Sequence, residues 1–298
     1  MQLRCTASRE GKLESFLRRE LSMSSSLVSR LKWQDALLVN GEAVHTNHPV
    51  HPGDAVAVRL EETVEGFEPE EMALSVLYED EALIALDKPA GMLTHPSPSR
   101  NDGTLANGLL AYYRASGQKC GIHPVSRLDR DTFGVVLLAK NAYVHEKFRL
   151  LHQNGGIKKT YAACVFGAPE ADAGTIELPV YKLGGGSLLR AVDARGQQAV
   201  TEFSVQCRWE STALLALHPV TGRTHQLRLH CMASGFPILG DPQYHSDASR
   251  AFSERFGICP QQLCAVRLEF CHPITGEAIC IASKQRVRCP EETAATIG

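Results

Sequence analysis

The chain has 298 residues, of which 44% are hydrophobic and 21% charged, with a formal net charge of −2 at pH 7. This length accommodates one large domain and a small one, and the composition is that of a soluble globular protein. No apolar run approaches the roughly 18 residues of a membrane span, and the N-terminus lacks the apolar segment of a signal peptide, so we expect a cytoplasmic protein.

The charge is unevenly distributed along the chain. Residues 1–60 carry eight Lys/Arg against six Asp/Glu, whereas residues 61–72 carry six Glu and no basic residue. The remainder has 23 basic and 21 acidic residues. The overall balance speaks mildly against a nucleic-acid partner, but the acidic segment separates two mildly basic regions.

The ten cysteines show no CxxC pair, and their spacing is not that of zinc ligands. Several lie in apolar, strand-like runs. We interpret them as reduced, mostly small core residues.

Residues 11–60 predict a separate small unit. Two short helices, the second with its apolar face formed by Leu27, Val28, Leu31 and Trp33, are followed by a hairpin with an Asn40-Gly41 turn and a final strand. This order resembles the RNA-binding domain of the ribosomal protein S-four type. The resemblance implies RNA contacts from the basic residues Arg18, Arg19, Arg30 and Lys32. The alternative is a generic small α+β domain with solvated basic side chains.

The Glu-rich residues 61–75 predict a solvated acidic linker. We therefore expect three parts: residues 1–60, the linker, and a main domain over residues 76–298.

The main domain begins with a strand, ALIALD, and a turn that contains Lys88. We interpret Lys88 as a turn lysine and His95 as a loop histidine, neither of them catalytic. Residues 103–117 then predict a helix.

The stretch 121–141 combines acidic and basic side chains with a buried strand. Asp129 lies between Arg127 and Arg130, and the apolar run 135–139 follows at once. Nearby positive charge favours the ionised carboxylate, which suits a nucleophile or a fixed anion. A surface salt-bridge loop is the alternative on these residues alone.

Next come a helix over residues 143–155 and a strand over 158–167 that contains Tyr161. Its place in a strand favours the interpretation of Tyr161 as a core tyrosine. The run Gly184-Gly185-Gly186 lacks the order of a nucleotide-binding loop and predicts a flexible turn.

Residues 212–235 predict a strand, a turn at Thr221-Gly222 and a helix that begins near Thr224. On that helix His225, Arg228, Leu229 and Met232 share one face. The histidines lack carboxylate or thiolate partners, so no metal site is predicted.

Three segments in this order, SRLDRDTFG, KKTY and TGRTHQLRLH, are similar to the motifs of the RluA/RluD-type RNA pseudouridine synthases, and the resemblance spans roughly residues 76–285. Two positions depart from the family pattern: Ser126 replaces its usual His and Phe133 its usual Ser. The resemblance implies a mixed α+β fold. Its catalytic domain has a long, largely antiparallel sheet flanked by helices, with the cleft at mid-sheet, and a small α+β RNA-binding domain precedes it.

The resemblance also implies residue roles. Asp129 falls on the nucleophilic aspartate, Arg223 on the arginine that pairs with it, and Tyr161 on the tyrosine that stacks on the target base. Arg127 stands where relatives fill the space left by a flipped uridine. The implied partner is ribosomal or transfer RNA, and the resemblance implies neither a metal nor a cofactor. Separately, we expect a monomer that does not bind a membrane.

Two other classes stay open at this stage. A glycoside hydrolase would use two carboxylates, and Asp129 and Asp131 would face one side of an extended segment. A non-catalytic RNA-binding protein could keep the same fold, and its RNA binding would not depend on Asp129.

Overall fold

The computed structural model describes residues 1–97, 100–184 and 189–291. Within these ranges the helices are α1 Leu13–Arg19, α2 Ser25–Lys32, α3 Leu105–Ala115, α4 Ala142–Gln153, α5 Gln226–Ala233 and α6 Asp247–Arg255. The strands are β1 Gln2–Thr6, β2 Gly11–Lys12, β3 Leu37–Val39, β4 Glu42–Ala43, β5 Pro49–Val50, β6 Ala55–Arg59, β7 Val76–Glu79, β8 Leu83–Lys88, β9 His123–Pro124, β10 Phe133–Ala139, β11 Ile157–Phe166, β12 Ala173–Glu177, β13 Val180–Lys182, β14 Arg190–Val192, β15 Val200–Arg208, β16 Thr212–Pro219, β17 Leu263–Cys271 and β18 Ala278–Ala282.

The N-terminal residues form a small antiparallel sheet in the order β1-β6-β3-β4, accompanied by α1 and α2. The predicted hairpin is confirmed, because β3 and β4 pair across Asn40 and Gly41, both with the positive φ that a two-residue type I′ turn requires. Ser24 caps α2 by accepting a hydrogen bond from the Leu27 amide at 3.3 Å. The placement of Trp33 on the apolar face was wrong: it follows the last turn of α2 and is 81% exposed.

The acidic segment is folded against the rest of the chain, and its interpretation as a solvated tether was wrong. Glu62 accepts hydrogen bonds from Arg30 Nη2 at 2.7 Å, from the Ala142 amide at 2.9 Å and from His123 Nε2 at 2.5 Å. These partners belong to α2, to the start of α4 and to β9. One carboxylate therefore joins the N-terminal unit to the main sheet.

The main sheet has the strand order β12-β15-β16-β11-β17-β10-β8-β7, with β18 beside β17 and β9 beside β10. Every described pair in it is antiparallel except β10 with β17. The predicted mixed α+β fold with a large, mostly antiparallel sheet is confirmed. All seven residues of β10 are buried, as its continuous apolar run predicts.

A glycine is required where the chain enters β10. Gly134 has φ +105°, and a Cβ on it would lie 2.4 Å from the backbone oxygen of Ala265. No side chain fits this approach of β10 to β17. Gly134 therefore permits the parallel pairing that begins next to the loop of Asp129.

A continuous hydrophobic cluster links the two parts of the molecule. It contains Leu17 and Leu31 of the N-terminal helices together with Leu83, Leu137 and Phe270 of the main sheet. Because this apolar packing joins the two parts, the structure does not separate them into independent domains. The domain division at residues 60 and 76 therefore stays a prediction. No helix in the part of the chain that the structure describes is long and apolar enough to cross a membrane.

Candidate active site

Asp129 lies in the loop of residues 125–132, which joins β9 to β10. The neighbouring Leu128 is buried in the core. Thr132 donates its amide to the Asp129 carbonyl at 3.2 Å, and its hydroxyl accepts a hydrogen bond from Gln261 Nε2 at 2.6 Å. The backbone that carries Asp129 is thus anchored on both sides, while its side chain stays 27% exposed.

Lys88 anchors the same loop from beneath. It is fully buried, and its ammonium donates three hydrogen bonds of 2.7 to 3.0 Å to the carbonyls of Pro89, Met92 and Arg130. Burial lowers the pKa of Lys88 to about 8, although the negative charges of Asp131 and Asp129 act in the opposite direction. Lys88 therefore joins the turn after β8 to the Asp129 loop through buried hydrogen bonds. Its interpretation as a turn lysine missed this structural role.

The arginine in contact with Asp129 is Arg228. Its Nη1 lies 3.1 Å from Asp129 Oδ2, while its Nε and Nη2 donate to the two carboxylate oxygens of Asp241 at 2.7 and 2.8 Å. Burial lowers the pKa of Arg228, but hydrogen bonds and charge from Asp241 and Asp129 outweigh burial and leave that pKa above its ordinary value. Asp241, whose side chain is wholly buried, fixes the plane of the guanidinium, and Gln243 accepts a further hydrogen bond from Nη2 at 3.0 Å. Nη1 is thereby directed at Asp129.

The expected pairing of Arg223 with Asp129 was wrong. Arg223 is exposed in the turn before α5, and its Nε donates to the Gln198 carbonyl at 3.4 Å. The expected helix start near Thr224 was also wrong, since α5 begins at Gln226. Arg223 therefore lies outside the helix, whereas Arg228 occupies its buried face.

His225 also reaches Asp129, and the sequence assigned it no role. Its Nε2 lies 4.0 Å from Asp129 Oδ2, and its Nδ1 lies 2.9 Å from the hydroxyl of Tyr244. The sequence did place His225 on one face with Arg228. A basic residue on the buried face of a helix needs a partner, and that signal could have identified both residues.

Tyr161 lies at the centre of the sheet, on β11, opposite Leu217 and Ala265. The register shifts between Thr160 and Tyr161, which marks a bulge in the strand. Burial raises the pKa of Tyr161, and the negative charge of Asp129 raises it further. Its hydroxyl is therefore neutral near pH 7 and can act as a hydrogen-bond donor.

The remaining predicted residues lie at the surface. Arg127 is exposed in the loop two residues before Asp129. Arg18 and Arg19, at the end of α1, line a groove together with Lys12. Lys32 is exposed near Trp33, with its ammonium 5.0 Å from the ring centre, whereas Arg30 is paired with Glu62. Arg127 thus lies in the loop that carries Asp129, whereas Arg18, Arg19, Arg30 and Lys32 belong to the N-terminal helices.

No group of three or more metal-ligating side chains occurs among the residues that the structure describes. The predicted Gly184–Gly186 turn lies partly outside the described residues. Chemically, the site offers a carboxylate held at one oxygen by a charged donor, with a neutral phenol nearby. Such a carboxylate can act as a nucleophile or a base.

Comparison with known proteins identifies the class to which this fold and site belong. The sequence profile described as RNA pseudouridylate synthase matches residues 82–233. The solved structure of human RNA pseudouridylate synthase domain containing 4 superposes with a TM-score of 0.56 at 25% identity, over 72% of this chain and 88% of that one. Human RNA pseudouridylate synthase domain containing 1 shares the fold, with a TM-score of 0.57 at 20% identity, over 78% of this chain and 97% of that one.

Sequence relatives cover nearly the whole chain. The RNA pseudouridine synthase YlyB of Bacillus subtilis is 36% identical over 93% of this chain and 92% of its own length. The ribosomal large subunit pseudouridine synthase D of Pseudomonas aeruginosa is 33% identical over 80% of this chain and 77% of its own length. The chain therefore belongs to the RNA pseudouridine synthases of the RluA type, and it is an isomerase that acts on RNA.

Proposed function

We propose that this enzyme converts uridines of ribosomal RNA to pseudouridine, with Asp129 as the nucleophile. The reaction breaks the bond between N1 and C1′ of the nucleoside and forms one between C5 and C1′. A proton leaves C5 and a proton is placed on N1, so the composition of the RNA does not change. The reaction consumes neither a redox partner nor an energy source.

The observation that carries the proposal is the position of Asp129 in an anchored loop against Arg228. The buried Arg228–Asp241 pair holds Asp129 Oδ2 at 3.1 Å from Nη1. A charged donor at one oxygen fixes the direction of the carboxylate. Such a group can attack the sugar or the base, or remove the C2′ proton.

The substrate uridine has to leave the base stack to meet Asp129. Tyr161 offers a flat apolar face with a polar end, which suits stacking on a flipped base. Arg127, exposed two residues before Asp129, is the proposed residue that fills the space in the RNA. Ribosomal RNA is favoured over transfer RNA as the substrate because two similar proteins, from Pseudomonas aeruginosa and Xanthomonas campestris, are named ribosomal large subunit pseudouridine synthases.

We further propose that residues 1–60 are an RNA-binding domain of the ribosomal protein S-four type. Arg18 and Arg19 line the groove described above, and Lys32 is exposed at the end of the next helix, α2. Basic side chains that neutralise RNA phosphates make the affinity depend on salt. Replacing Arg18 and Arg19 with Ala should raise KM without changing kcat. It should also reduce the slope of log affinity against log salt concentration by about one to two. The matched control is Arg114→Ala, at an exposed position on α3.

The proposal is tested by chemical mapping of pseudouridine in ribosomal and transfer RNA. Cells that lack the protein are compared with cells restored by the wild type or by Asp129→Ala. We expect one or a few sites to disappear and to return with the wild type alone. Full restoration by Asp129→Ala would refute the nucleophile, and a change confined to transfer RNA would refute the substrate.

A further inference from the structure

His225 occupies a backbone conformation that non-glycine residues rarely adopt. It precedes α5 with φ 59° and ψ 16°, in the left-handed region, and its side chain makes no capping hydrogen bond to the helix. Such a conformation is strained and persists only where the surroundings impose it. Helix capping does not explain this residue.

Tyr244 fixes the ring of His225. The two rings meet edge to face with centres 5.6 Å apart, and the Tyr244 hydroxyl lies 2.9 Å from His225 Nδ1. The same hydroxyl accepts a hydrogen bond from the Arg190 amide at 2.8 Å. Its own hydrogen is available to Nδ1, and when Nδ1 accepts it, the proton of the neutral imidazole lies on Nε2.

Two acidic and two basic side chains influence the pKa of His225. Burial lowers the pKa of His225, and the positive charges of Arg228 and Arg190 lower it further. The negative charges of Asp129 and Asp241 raise it. The net direction is downward from the ordinary value, so the ring is neutral near pH 7. A neutral ring with its proton on Nε2 presents a hydrogen-bond donor to Asp129.

Both contacts to the side chain of Asp129 within the described ranges converge on one oxygen. Arg228 Nη1 lies 3.1 Å from Oδ2, and His225 Nε2 lies 4.0 Å from the same atom. The second distance is too long for a hydrogen bond. Catalytic hydrogen bonds often tighten only when substrate is bound.

We infer that His225 is a positioning residue, which donates from Nε2 to Oδ2 of Asp129 in the RNA complex and so leaves Oδ1 as the oxygen that reacts. Tyr244 supports this role by holding the ring and its tautomer. The inference rests on the proposed role of Asp129. It assigns His225 and Tyr244 to the orientation of the nucleophile, without contact to the uridine.

The test uses the full chain and ribosomal RNA from cells that lack the protein, labelled with tritium at C5 of uridine. Tritium release is measured for His225→Gln and His225→Asn. The Gln amide nitrogen can take the place of Nε2, whereas Asn tolerates the left-handed backbone but is too short to reach Asp129. We expect Gln to stay within about fivefold of the wild-type kcat and Asn to lose about 10- to 100-fold, with KM unchanged for both.

A purely structural role predicts the reverse order, because Asn suits this backbone at least as well as Gln. Asn activity equal to or above that of Gln would overturn the inference. Tyr244→Phe, which leaves residue 225 unchanged, should lower kcat about tenfold. If the His225 variants fail to fold, this variant alone tests the inference, and an unchanged kcat would overturn it. Asp129→Ala is run in parallel: if it is active, the proposed function fails, whereas an inactive Asp129→Ala beside fully active Asn and Phe variants refutes only the role of His225.

Discussion

Asp241 and Arg228 form a buried pair joined by two hydrogen bonds, from Nε at 2.7 Å and from Nη2 at 2.8 Å. The pair leaves Nη1 of Arg228 to contact Asp129 Oδ2. Arg228 therefore connects a buried structural carboxylate to the partly exposed one that is proposed to react.

Replacing Arg228 with Lys should abolish most of the activity. Lysine keeps the charge, but a single ammonium cannot satisfy the carboxylate of Asp241 and direct Asp129 at once. We expect kcat to fall by about 100-fold or more, measured by tritium release below the unfolding temperature of the variant. Arg223→Lys is the matched control, because Arg223 lies five residues earlier in an exposed turn, and its kcat should stay within about threefold. A larger loss for Arg223→Lys than for Arg228→Lys would contradict the assignment.

Tyr161→Phe separates the aromatic face from the hydroxyl. Burial raises the pKa of Tyr161, so the hydroxyl acts as a neutral donor near pH 7. Loss of that hydroxyl should lower kcat by about 100-fold while KM changes little, because the ring still stacks. Tyr161→Leu should impair both constants.

Tyr113→Phe is the control for Tyr161, since the Tyr113 hydroxyl is buried without a hydrogen-bond partner in the described part of the chain. Its kcat should equal that of the wild type. If Tyr161→Phe also retains full kcat, the hydroxyl has no part in the reaction.

Lys88 should make the stability of the protein depend on alkaline pH. Burial lowers its pKa to about 8 in the folded state, whereas an unfolded lysine titrates near 10.4. Between these values the unfolded chain binds more protons, so the contribution of Lys88 to stability rises with pH by up to about 1.4 kcal/mol per unit. In urea unfolding from pH 7.5 to 9.5, the wild type should gain stability relative to Lys88→Met. A constant difference between the two proteins would show that the ammonium does not titrate in this range.

Glu62 should stabilise the contact between the N-terminal unit and the main sheet. Burial raises its pKa, but hydrogen bonds from His123 and the Ala142 amide and the charge of Arg30 outweigh burial and bring the pKa below its ordinary value. Its contribution is therefore fully present above the unfolded pKa of about 4.3 and is lost as pH falls through the lower folded value. Glu62→Gln should cost about 1 kcal/mol at pH 7, a figure reduced for partial solvent screening.

The control for Glu62 is its neighbour. Glu61 lies 3.4 Å from Lys119, and both side chains are more than half exposed. Glu61→Gln should change stability by less than about 0.5 kcal/mol. Thermal and urea unfolding at pH 7 and pH 4 measure both variants. Equal effects of the two substitutions at pH 7, or a difference that grows on acidification, would contradict the role of Glu62.

Local signals predicted much of the fold. The Asn40-Gly41 turn and the apolar run of β10 each depend on residues close in sequence, and each is confirmed. The helix start before α5 was misplaced because His225 adopts a left-handed conformation. Histidine is enriched in this conformation relative to most residues, but that preference is too weak to show which histidine adopts it.

The errors in the candidate site have a common cause in long-range pairing. The motif contains two arginines, and only the position of Asp241, 13 residues beyond Arg228, decides which of them is buried and held. Glu62 was interpreted as solvated because its neighbours in sequence are acidic. Its partners, Arg30 and His123, lie 32 and 61 residues away.

The most direct test of the account is single-turnover release of C5 tritium from ribosomal RNA by Asp129→Ala, compared with Asp131→Asn. Asp131 lies two residues away and is paired with Arg130 at 2.9 Å, so its substitution should slow the reaction by less than about tenfold. Asp129→Ala, folded and still able to bind the RNA, should be slower by about 10,000-fold or more. Tritium release by Asp129→Ala at a rate near that of Asp131→Asn would contradict the central claim that Asp129 carries the reaction.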